Sequence, residues 1–325
     1  MRIIEANGAA LHVADSGPAD GPALVFANSL GTDLRLWDAL IPHLPDGLRL
    51  VRYDKRGHGL SEETPGPYSI EQLADDAAGL IEALGLRDVV FVGLSIGGLI
   101  GQSLAARRAE LLRGLVISNS AAKIGEAAMW QDRIAAIRKG GIAAIAAPTM
   151  ERWFSPAFRA TPELAAWQAM LERQPVEGYV ACCAAIAGAD LRDSTAGLTL
   201  PVQLIAGSAD GSTPPELVQA TAGLIADARF EVIDGAGHLP CVEAGKSDFD
   251  RPFQDLITES AWGTVWASDG LSRRERSMIT LGLLAAMGNF DEIPMHIRAT
   301  VRTGATPRDV QEVFQHVAIY CGVPR

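Results

Sequence analysis

The amino-acid sequence predicts an α/β fold, in which helices wrap a parallel β-sheet, followed by an all-helical segment. Three observations carry this prediction. Short apolar runs alternate with helical patterns along most of the first 245 residues, an interval near 121–198 contains helical patterns only, and no strand pattern follows about residue 243. Alternating strands and helices are typical of parallel sheets. A helical interval between two strands predicts a cap over the strand ends, where open α/β sheets bind ligands.

The predicted strands begin with a hairpin, because the dipeptide Asn7-Gly8 favours a two-residue turn. The run DVVFVGL is β-branched and aromatic with almost no polar residue, which suits a strand buried on both faces. Six apolar runs are interpreted as sheet strands: 23–28, 48–54, 88–94, 111–119, 201–207 and 229–234.

The clearest predicted helix begins after Ser69, which forms a capping-box pattern with Gln72, and stops at Gly85. Alanine-rich helices are expected in the cap, separated by the segment APTMERWFSPAFRATPE. The polar, proline-terminated stretch AGKSDFDRP then marks a boundary. The predicted domains are therefore 1–245, with the cap at about 121–198, and 246–325.

Composition excludes several classes of function. The net charge is −11, whereas nucleic-acid binding relies on clustered Lys and Arg. The 48% hydrophobic content supports a sizeable core, but no apolar run reaches the roughly 18 residues of a membrane span. The N-terminus reads as a strand hairpin rather than a signal peptide, so a soluble cytoplasmic protein is expected.

The cysteines give no sign of a metal site or a disulfide framework. None of the four forms a C-x-x-C pair: Cys182, Cys183, Cys241 and Cys321. The sequence also lacks ligand clusters and phosphate-binding loops. We therefore expect neither a metal nor a cofactor.

The stretch FVGLSIGGLI places Ser95 between Gly93 and Gly97, where a buried strand gives way to a helix. This G-x-S-x-G pattern is typical of a nucleophile elbow, whose small neighbours allow a strained turn that exposes the serine Oγ. The alternative is a glycine-rich turn with a capping serine, so the hypothesis needs a base and an acid as partners.

The candidate base is His238, in a glycine-flanked loop just after the last predicted strand. A serine needs such a base to take its proton, and an acid to orient the base. Asp210 follows another strand and precedes a helix, which makes it the candidate acid, with Asp234 as the alternative. The other common position for the acid offers Asn119 and Ser120 and no carboxylate. A surface histidine and a turn aspartate are the structural alternatives.

Two backbone amides are predicted to bind the oxyanion of a tetrahedral intermediate. The amide of Ile96 lies at a helix N-terminus directly after Ser95, and the amide of Leu30 lies in the loop after the strand ALVFA, beside Ser29. The nearby segment YDKRGHGLS, with Asp54, Arg56 and His58, is interpreted as a hydrogen-bonded structural turn without a catalytic role.

With Ser95, Asp210 and His238 in this order, residues 1 to about 243 resemble the α/β-hydrolase family. More narrowly, the segments NSLGTDLRLWD, RYDKRGHGLSE, VGLSIGGLIGQ and GAGHLPCVE resemble 3-oxoadipate enol-lactonases. The resemblance implies an α/β-hydrolase fold with a helical cap. It also implies hydrolysis of a small-molecule lactone, 3-oxoadipate enol-lactone, in the protocatechuate branch of the β-ketoadipate pathway of aromatic degradation.

Residues 249–325 look like 4-carboxymuconolactone decarboxylase, on the segments FQDLITESAWGTVWASDGLSRRERSMITLGLLAAMG and MHIRATVRTGATPRDVQEVFQHVAIYCGVP. That family makes the enol-lactone which the hydrolase consumes, so the two resemblances indicate a bifunctional fusion. The resemblance implies Glu275, Glu292 and His296 as candidate residues of the C-terminal part. Solvated helix charges are the alternative.

The substrate of an enol-lactonase keeps a free carboxylate, so a cation is expected in the cap. Arg133 is the candidate, with Trp130 and Trp153 as apolar walls. Two alternatives stay open. A general carboxylesterase or other lactonase would share every catalytic residue, and the C-terminal helices would serve as an oligomerisation module if they lack partners within the chain.

Overall fold

A single eight-stranded sheet organises the N-terminal part of the computed structural model, which describes residues 2–243, 270–290 and 292–321. The strand order is β1-β2-β4-β3-β5-β6-β7-β8. The hairpin pair β1–β2 and the β2–β4 pair are antiparallel, and all other neighbours are parallel. The strands are β1 Arg2–Ala6, β2 Ala9–Ser16, β3 Ala23–Ala27, β4 Arg49–Tyr53, β5 Val89–Leu94, β6 Leu112–Ser118, β7 Val202–Gly207 and β8 Arg229–Ile233.

The centre of the sheet is buried on both faces, as the apolar runs predict. Every residue of β3, β5 and β7 is buried. Helices cover both faces of a parallel sheet, and its strands therefore read as continuous apolar runs rather than as alternating ones. The hairpin prediction is also confirmed, since Asn7 and Gly8 both adopt positive φ angles, of 47° and 70°. The α/β class is therefore correct.

Four helices accompany the strands: α1 Ile70–Ala83, α2 Ile96–Arg107, α9 Pro215–Ala222 and α10 Pro240–Glu243. The Oγ of Ser69 accepts a hydrogen bond from the amide of Gln72 at 3.1 Å, which caps α1 as predicted. Helix α2 starts directly at the end of β5. The carboxyl ends of the parallel strands therefore lead into the loops that carry Ser95, Asp210 and His238.

The predicted cap is an insertion of helices between β6 and β7. Its helices are α3 Ala127–Gly140, α4 Ala143–Trp153, α5 Pro156–Arg159, α6 Leu164–Glu172, α7 Val176–Ala187 and α8 Arg192–Ala196. One expectation is wrong: the first half of the segment expected to separate helices is itself helical, because α4 continues through Pro148. Proline removes one backbone donor, and the burial of Thr149, Met150 and Trp153 on the following turn outweighs that loss.

The described part of the C-terminal unit consists of three helices joined by short non-helical segments. Its helices are α11 Arg273–Met287, α12 Ile293–Thr303 and α13 Pro307–Cys321, and α11 packs against both of the others. The chain divides into two units, Met1–Ser260 and Ala261–Arg325. That division, the predicted boundary at 245/246, the AGKSDFDRP stretch and the segment FQDLITESAWGTVWASD all lie outside the described residues, so the boundary stays a prediction.

Within the three described ranges, no helix is both long and apolar enough to cross a membrane. In those same ranges, no three His, Cys, Asp or Glu side chains are grouped closely enough to hold a metal ion. Three of the cysteines are buried and Cys321 is exposed, and all four are free thiols.

Candidate active site

Ser95 lies on the sharp turn between β5 and α2. Its backbone has φ 58° and ψ −118°, a region that residues with a side chain rarely occupy. The turn is held in place by its neighbours: the Ser95 amide donates to the carbonyl of Ser118 at 3.0 Å, and the Ser120 hydroxyl donates to the Ser95 carbonyl at 2.6 Å. The strained conformation is the one expected of a nucleophile elbow.

The two glycines of the motif are required by close backbone approaches. A Cβ on Gly93 would lie 2.1 Å from the carbonyl oxygen of Gly97, and a Cβ on Gly97 would lie 2.2 Å from that of Ala27. Backbone atoms at such distances cannot make room for a side chain. The glycine spacing is therefore explained by the packing of the first turn of α2 against both β5 and β3. A serine that only capped the helix would not require these two glycines.

His238 and Asp210 form a buried pair at the ends of β8 and β7. His238 Nδ1 lies 2.8 Å from Asp210 Oδ2, and both side chains are almost fully shielded from solvent. The alternative acid, Asp234, is exposed and accepts a hydrogen bond from the Ser208 hydroxyl instead. The geometry places Asp210 against the imidazole and leaves its Nε2 available for a second partner.

Asp210 is ionised in this setting. Burial alone would raise its pKa, but His238 and the amide of Asn119 more than offset that effect, so the net pKa lies below its usual value. Asn119 Nδ2 and the Thr213 hydroxyl each donate to Asp210 Oδ2 at 2.8 Å, and the Ser212 amide donates to Oδ1 at 2.7 Å. Sequence reasoning noted Asn119 only as a position without a carboxylate. Its role as a donor to the acid was missed.

Ser95 and His238 line the same cavity, whose volume is about 360 Å³. Leu30 and Ser29 lie on its wall, at the end of β3. Ile96 is the first residue of α2, and the first amides of a helix have no acceptor within the helix. The loop that holds Leu30 therefore borders the cavity that Ser95 lines, whereas Ile96 is not among the lining residues. The role of the two amides in binding an oxyanion stays a prediction.

The three cap residues singled out from the sequence all line this cavity: Trp130, Arg133 and Trp153. The Arg133 guanidinium donates to the Tyr179 hydroxyl at 2.6 Å and to Thr149 Oγ1 at 3.0 Å, and it lies 6.0 Å above the Trp130 ring. Aromatic faces and neutral hydroxyls hold this cation without neutralising it. Arg133 is therefore a charged group at the cavity wall.

A second guanidinium at the same wall, that of Arg152, was missed by the sequence reasoning. Arg152 Nη2 lies 3.4 Å from Thr149 Oγ1, and its pKa is lowered first by burial and then by the positive charge of Arg133. Among the described residues, neither arginine forms an ion pair with a carboxylate. The adjacency of Arg152 to Trp153, which was itself predicted to line the site, was the available clue.

The segment interpreted as a structural turn is one. Arg56 forms a buried ion pair with Asp76 at 2.6 Å, and Asp54 accepts hydrogen bonds from the amides of Leu34 and Leu60. His58 is fully buried and lies outside the lining of the cavity that holds Ser95. The side chains that looked chemical in the sequence therefore bind other parts of the fold.

The three candidate residues of the C-terminal unit lie at helix ends. The Glu275 carboxylate accepts from the Ser272 amide and hydroxyl at 2.7 Å, which completes a capping box, and these bonds lower its pKa. Glu292 is the exposed N-cap residue of α12, and its carbonyl accepts from the amide of His296. Glu275 borders an open cavity whose lining includes neither Glu292 nor His296. Their catalytic roles stay predictions.

Comparison with known families agrees with the two-part organisation. The model of the alpha/beta hydrolase family matches residues 24–251, and that of the carboxymuconolactone decarboxylase family matches residues 251–325. The C-terminal part is 38% identical over 98 residues to 4-carboxymuconolactone decarboxylase of Acinetobacter baylyi, covering 30% of this chain and 72% of that protein. The resemblance to a fusion of the two families is confirmed.

The N-terminal part has relatives of known structure. It is 39% identical over 242 residues to 3-oxoadipate enol-lactonase 2 of Acinetobacter baylyi, covering 74% of this chain and 90% of that protein. The crystal structure of the enol-lactonase from Burkholderia xenovorans superposes with a TM-score of 0.76 at 36% identity, over 79% of this chain and 100% of that one. The chain belongs to the alpha/beta hydrolase family, and its hydrolase part is followed by a segment similar to carboxymuconolactone decarboxylases.

Proposed function

We propose that this protein hydrolyses 3-oxoadipate enol-lactone to 3-oxoadipate, with Ser95 as nucleophile, His238 as base and Asp210 as the acid that orients it. The observation that carries the proposal is that Ser95 and the His238–Asp210 pair border a cavity whose wall includes two arginines, neither of which forms an ion pair with a carboxylate of the described residues. The similarity to two enol-lactonases supports the choice of substrate. The protein would then act in the β-ketoadipate pathway.

In the proposed reaction, His238 Nε2 takes the proton of Ser95 Oγ as the oxygen attacks the ring carbonyl of the lactone. The bond between the carbonyl carbon and the ring oxygen then breaks. The enol oxygen leaves with the proton of the imidazolium, and the enol tautomerises to the ketone. A water molecule activated by His238 cleaves the acyl-enzyme and regenerates Ser95.

Two features of the site support these steps. Asp210 accepts from Nδ1 of His238, which fixes the tautomer with a free Nε2 and stabilises the imidazolium that forms. The amides of Leu30 and Ile96 bind the oxyanion, whose negative charge exists only in the tetrahedral intermediate. Donors that act on this charge accelerate the chemical step rather than substrate binding.

The free carboxylate of the substrate is bound by Arg133 and Arg152. Both guanidiniums line the cavity that contains Ser95, and Thr149 Oγ1 accepts from both. Two cations side by side repel each other, and an anion between them would relieve that repulsion. Trp130 and Trp153 enclose the apolar part of the ring.

Arg133→Gln and Arg152→Gln are each expected to raise KM for the enol-lactone by about 10- to 100-fold, since a hydrogen bond to a charged group contributes about 1.5–3 kcal/mol. We expect kcat to change much less. Steady-state kinetics on the lactone, with p-nitrophenyl acetate as an uncharged substrate, measures both. The control is Arg138→Gln, on the exposed part of α3. An unchanged KM in both cavity variants would remove the arginines from substrate binding.

A general carboxylesterase or another lactonase uses the same catalytic residues, so substrate choice decides between these functions. A panel of neutral esters, neutral lactones and the enol-lactone separates them, and a higher kcat/KM on the neutral compounds would favour the alternative. For the C-terminal unit, association through exposed apolar residues such as Val301, Ile319 and Tyr320 stays a prediction.

A further inference from the structure

The loop that carries Leu30, the predicted oxyanion donor, forms hydrogen bonds with a neighbouring turn. These bonds involve the residues directly before and directly after Leu30. We call residues 28–34 the oxyanion loop and residues 54–59 the basic turn. The Lys55 ammonium donates to the carbonyl of Ser29 at 2.7 Å, and the amide of Gly31 donates to His58 Nε2 at 3.0 Å. The peptide groups before and after Leu30 are therefore each fixed by a side chain of the basic turn.

We propose that Lys55 and His58 are positioning residues that aim the Leu30 amide at the oxyanion. The inference rests on the proposed function, because it assigns a role to residues that act through the oxyanion site. Neither side chain lines the cavity that contains Ser95, so neither touches the substrate. An oxyanion donor must lie within about 2.7–3.1 Å of the developing charge, so a small displacement of its loop weakens it.

The charge states of the two side chains suit these bonds. Burial lowers the pKa of Lys55 to about 8, so the ammonium that donates to Ser29 is the main form at neutral pH. Burial, together with the nearby Lys55 charge, lowers the pKa of His58 well below its usual value. His58 is therefore a neutral imidazole, and only a neutral ring has a nitrogen that accepts from the Gly31 amide.

The basic turn is itself held rigidly. A Cβ on Gly57 would lie 2.6 Å from the Cα of Gly178, so the turn packs directly against the backbone of cap helix α7. His58 stacks on Tyr179 of the same helix, with ring centroids 6.0 Å apart. Gly31 also has a positive φ of 81°, where an added Cβ would lie 2.5 Å from Leu171. The oxyanion loop cannot move far without breaking these contacts.

The buried cation at Lys55 has no other evident function. Its side chain is 1% exposed, and it forms no ion pair with any described carboxylate. Burial of a lysine ammonium costs folding free energy unless the ammonium is hydrogen-bonded or paired with an opposite charge. The one hydrogen bond found for the ammonium in the described chain ends on the residue that precedes Leu30.

The test compares Lys55→Met and His58→Leu, which remove the two bonds, with His58→Gln, whose side-chain oxygen can still accept from Gly31. We expect kcat to fall about 10- to 100-fold in the first two variants, because outright loss of an oxyanion donor costs about 10²–10³. KM should stay within about threefold of wild type, and His58→Gln should recover most of the loss. The affinity for trifluoroacetone, which forms a hemiketal oxyanion with the serine, should fall in parallel with kcat.

Arg56→Lys is the matched control, since it weakens the buried ion pair with Asp76 in the same turn without touching the oxyanion loop. It should lower Tm and leave kcat near wild type. The inference is overturned if Lys55→Met and His58→Leu lose no more kcat than this control, or if kcat falls while trifluoroacetone binds as before. The assays use both p-nitrophenyl acetate and the enol-lactone. If wild type hydrolyses p-nitrophenyl acetate through Ser95 but not the enol-lactone, the substrate assignment is overturned. The positioning role of Lys55 and His58 is then tested by the same comparison of kcat values on the ester.

Discussion

Ser95→Ala is expected to reduce hydrolysis by about 10⁴- to 10⁶-fold, which is the largest effect of any substitution in this chain. The methyl group of alanine cannot attack the carbonyl, so no acyl-enzyme forms. The oxyanion amides and the cavity stay in place and account for the residual activity. Steady-state rates on p-nitrophenyl acetate, together with mass spectrometry of the protein after treatment with a fluorophosphonate, measure the loss of both turnover and covalent labelling.

Ser103→Ala is the control for this prediction, because Ser103 is also buried and lies on the same helix α2. It should retain wild-type turnover and should still be labelled. Hydrolysis by Ser95→Ala at more than about a hundredth of the wild-type rate, in protein free of wild-type enzyme, would mean that Ser95 is not the nucleophile.

Asp210→Asn is expected to reduce kcat by about 10⁴-fold, as the loss of an orienting carboxylate does in other serine hydrolases. Asparagine carries an NH2 group in place of one carboxylate oxygen. In the variant this group would face either His238 or Asn119, which both donate hydrogen bonds to Asp210 in the wild type. His238 would then lose the tautomer in which Nε2 accepts the serine proton. The thermal unfolding temperature should fall as well, because several buried donors lose a charged acceptor.

Asp234→Asn separates the two candidate acids. Asp234 is exposed and bonds to Ser208, so its substitution should change kcat by no more than about twofold. If Asp234→Asn loses most of its kcat while Asp210→Asn stays active, Asp234 is the acid that orients His238. Measurement of kcat over a range of pH shows whether the basic form of His238 limits each variant.

Much of the fold could be predicted because its signals are local. Parallel strands buried on both faces must be apolar along their length, and this applies to β3, β5 and β7. The elbow was also readable, because close backbone approaches at Gly93 and Gly97 exclude any side chain and thus leave a fixed spacing in the sequence.

The features that sequence reasoning missed depend on contacts between distant segments. Lys55 lies 26 residues from Ser29, and no local pattern pairs a lysine with a particular carbonyl. The segment APTMERWFSPAFRATPE was expected to separate helices, yet its first residues continue α4 through Pro148, and tertiary burial of the following turn outweighs the preference of proline for helix ends. Arg152 was missed because no local pattern shows that its side chain faces the cavity beside Arg133. The Ser272–Glu275 capping box, by contrast, has a readable spacing and was overlooked when the family resemblance made Glu275 a candidate residue.

The central claim is that the Ser95 site hydrolyses 3-oxoadipate enol-lactone. The most direct test follows the loss of enol-lactone absorbance with purified full-length wild type and Ser95→Ala, side by side. We predict rapid loss with wild type, at a kcat/KM within the usual enzyme range of about 10⁴–10⁸ M⁻¹s⁻¹, and loss at least about 10⁴-fold slower with the variant. If wild type leaves this lactone intact while it hydrolyses simple esters through Ser95, the nucleophile is correct and the assignment of substrate is contradicted.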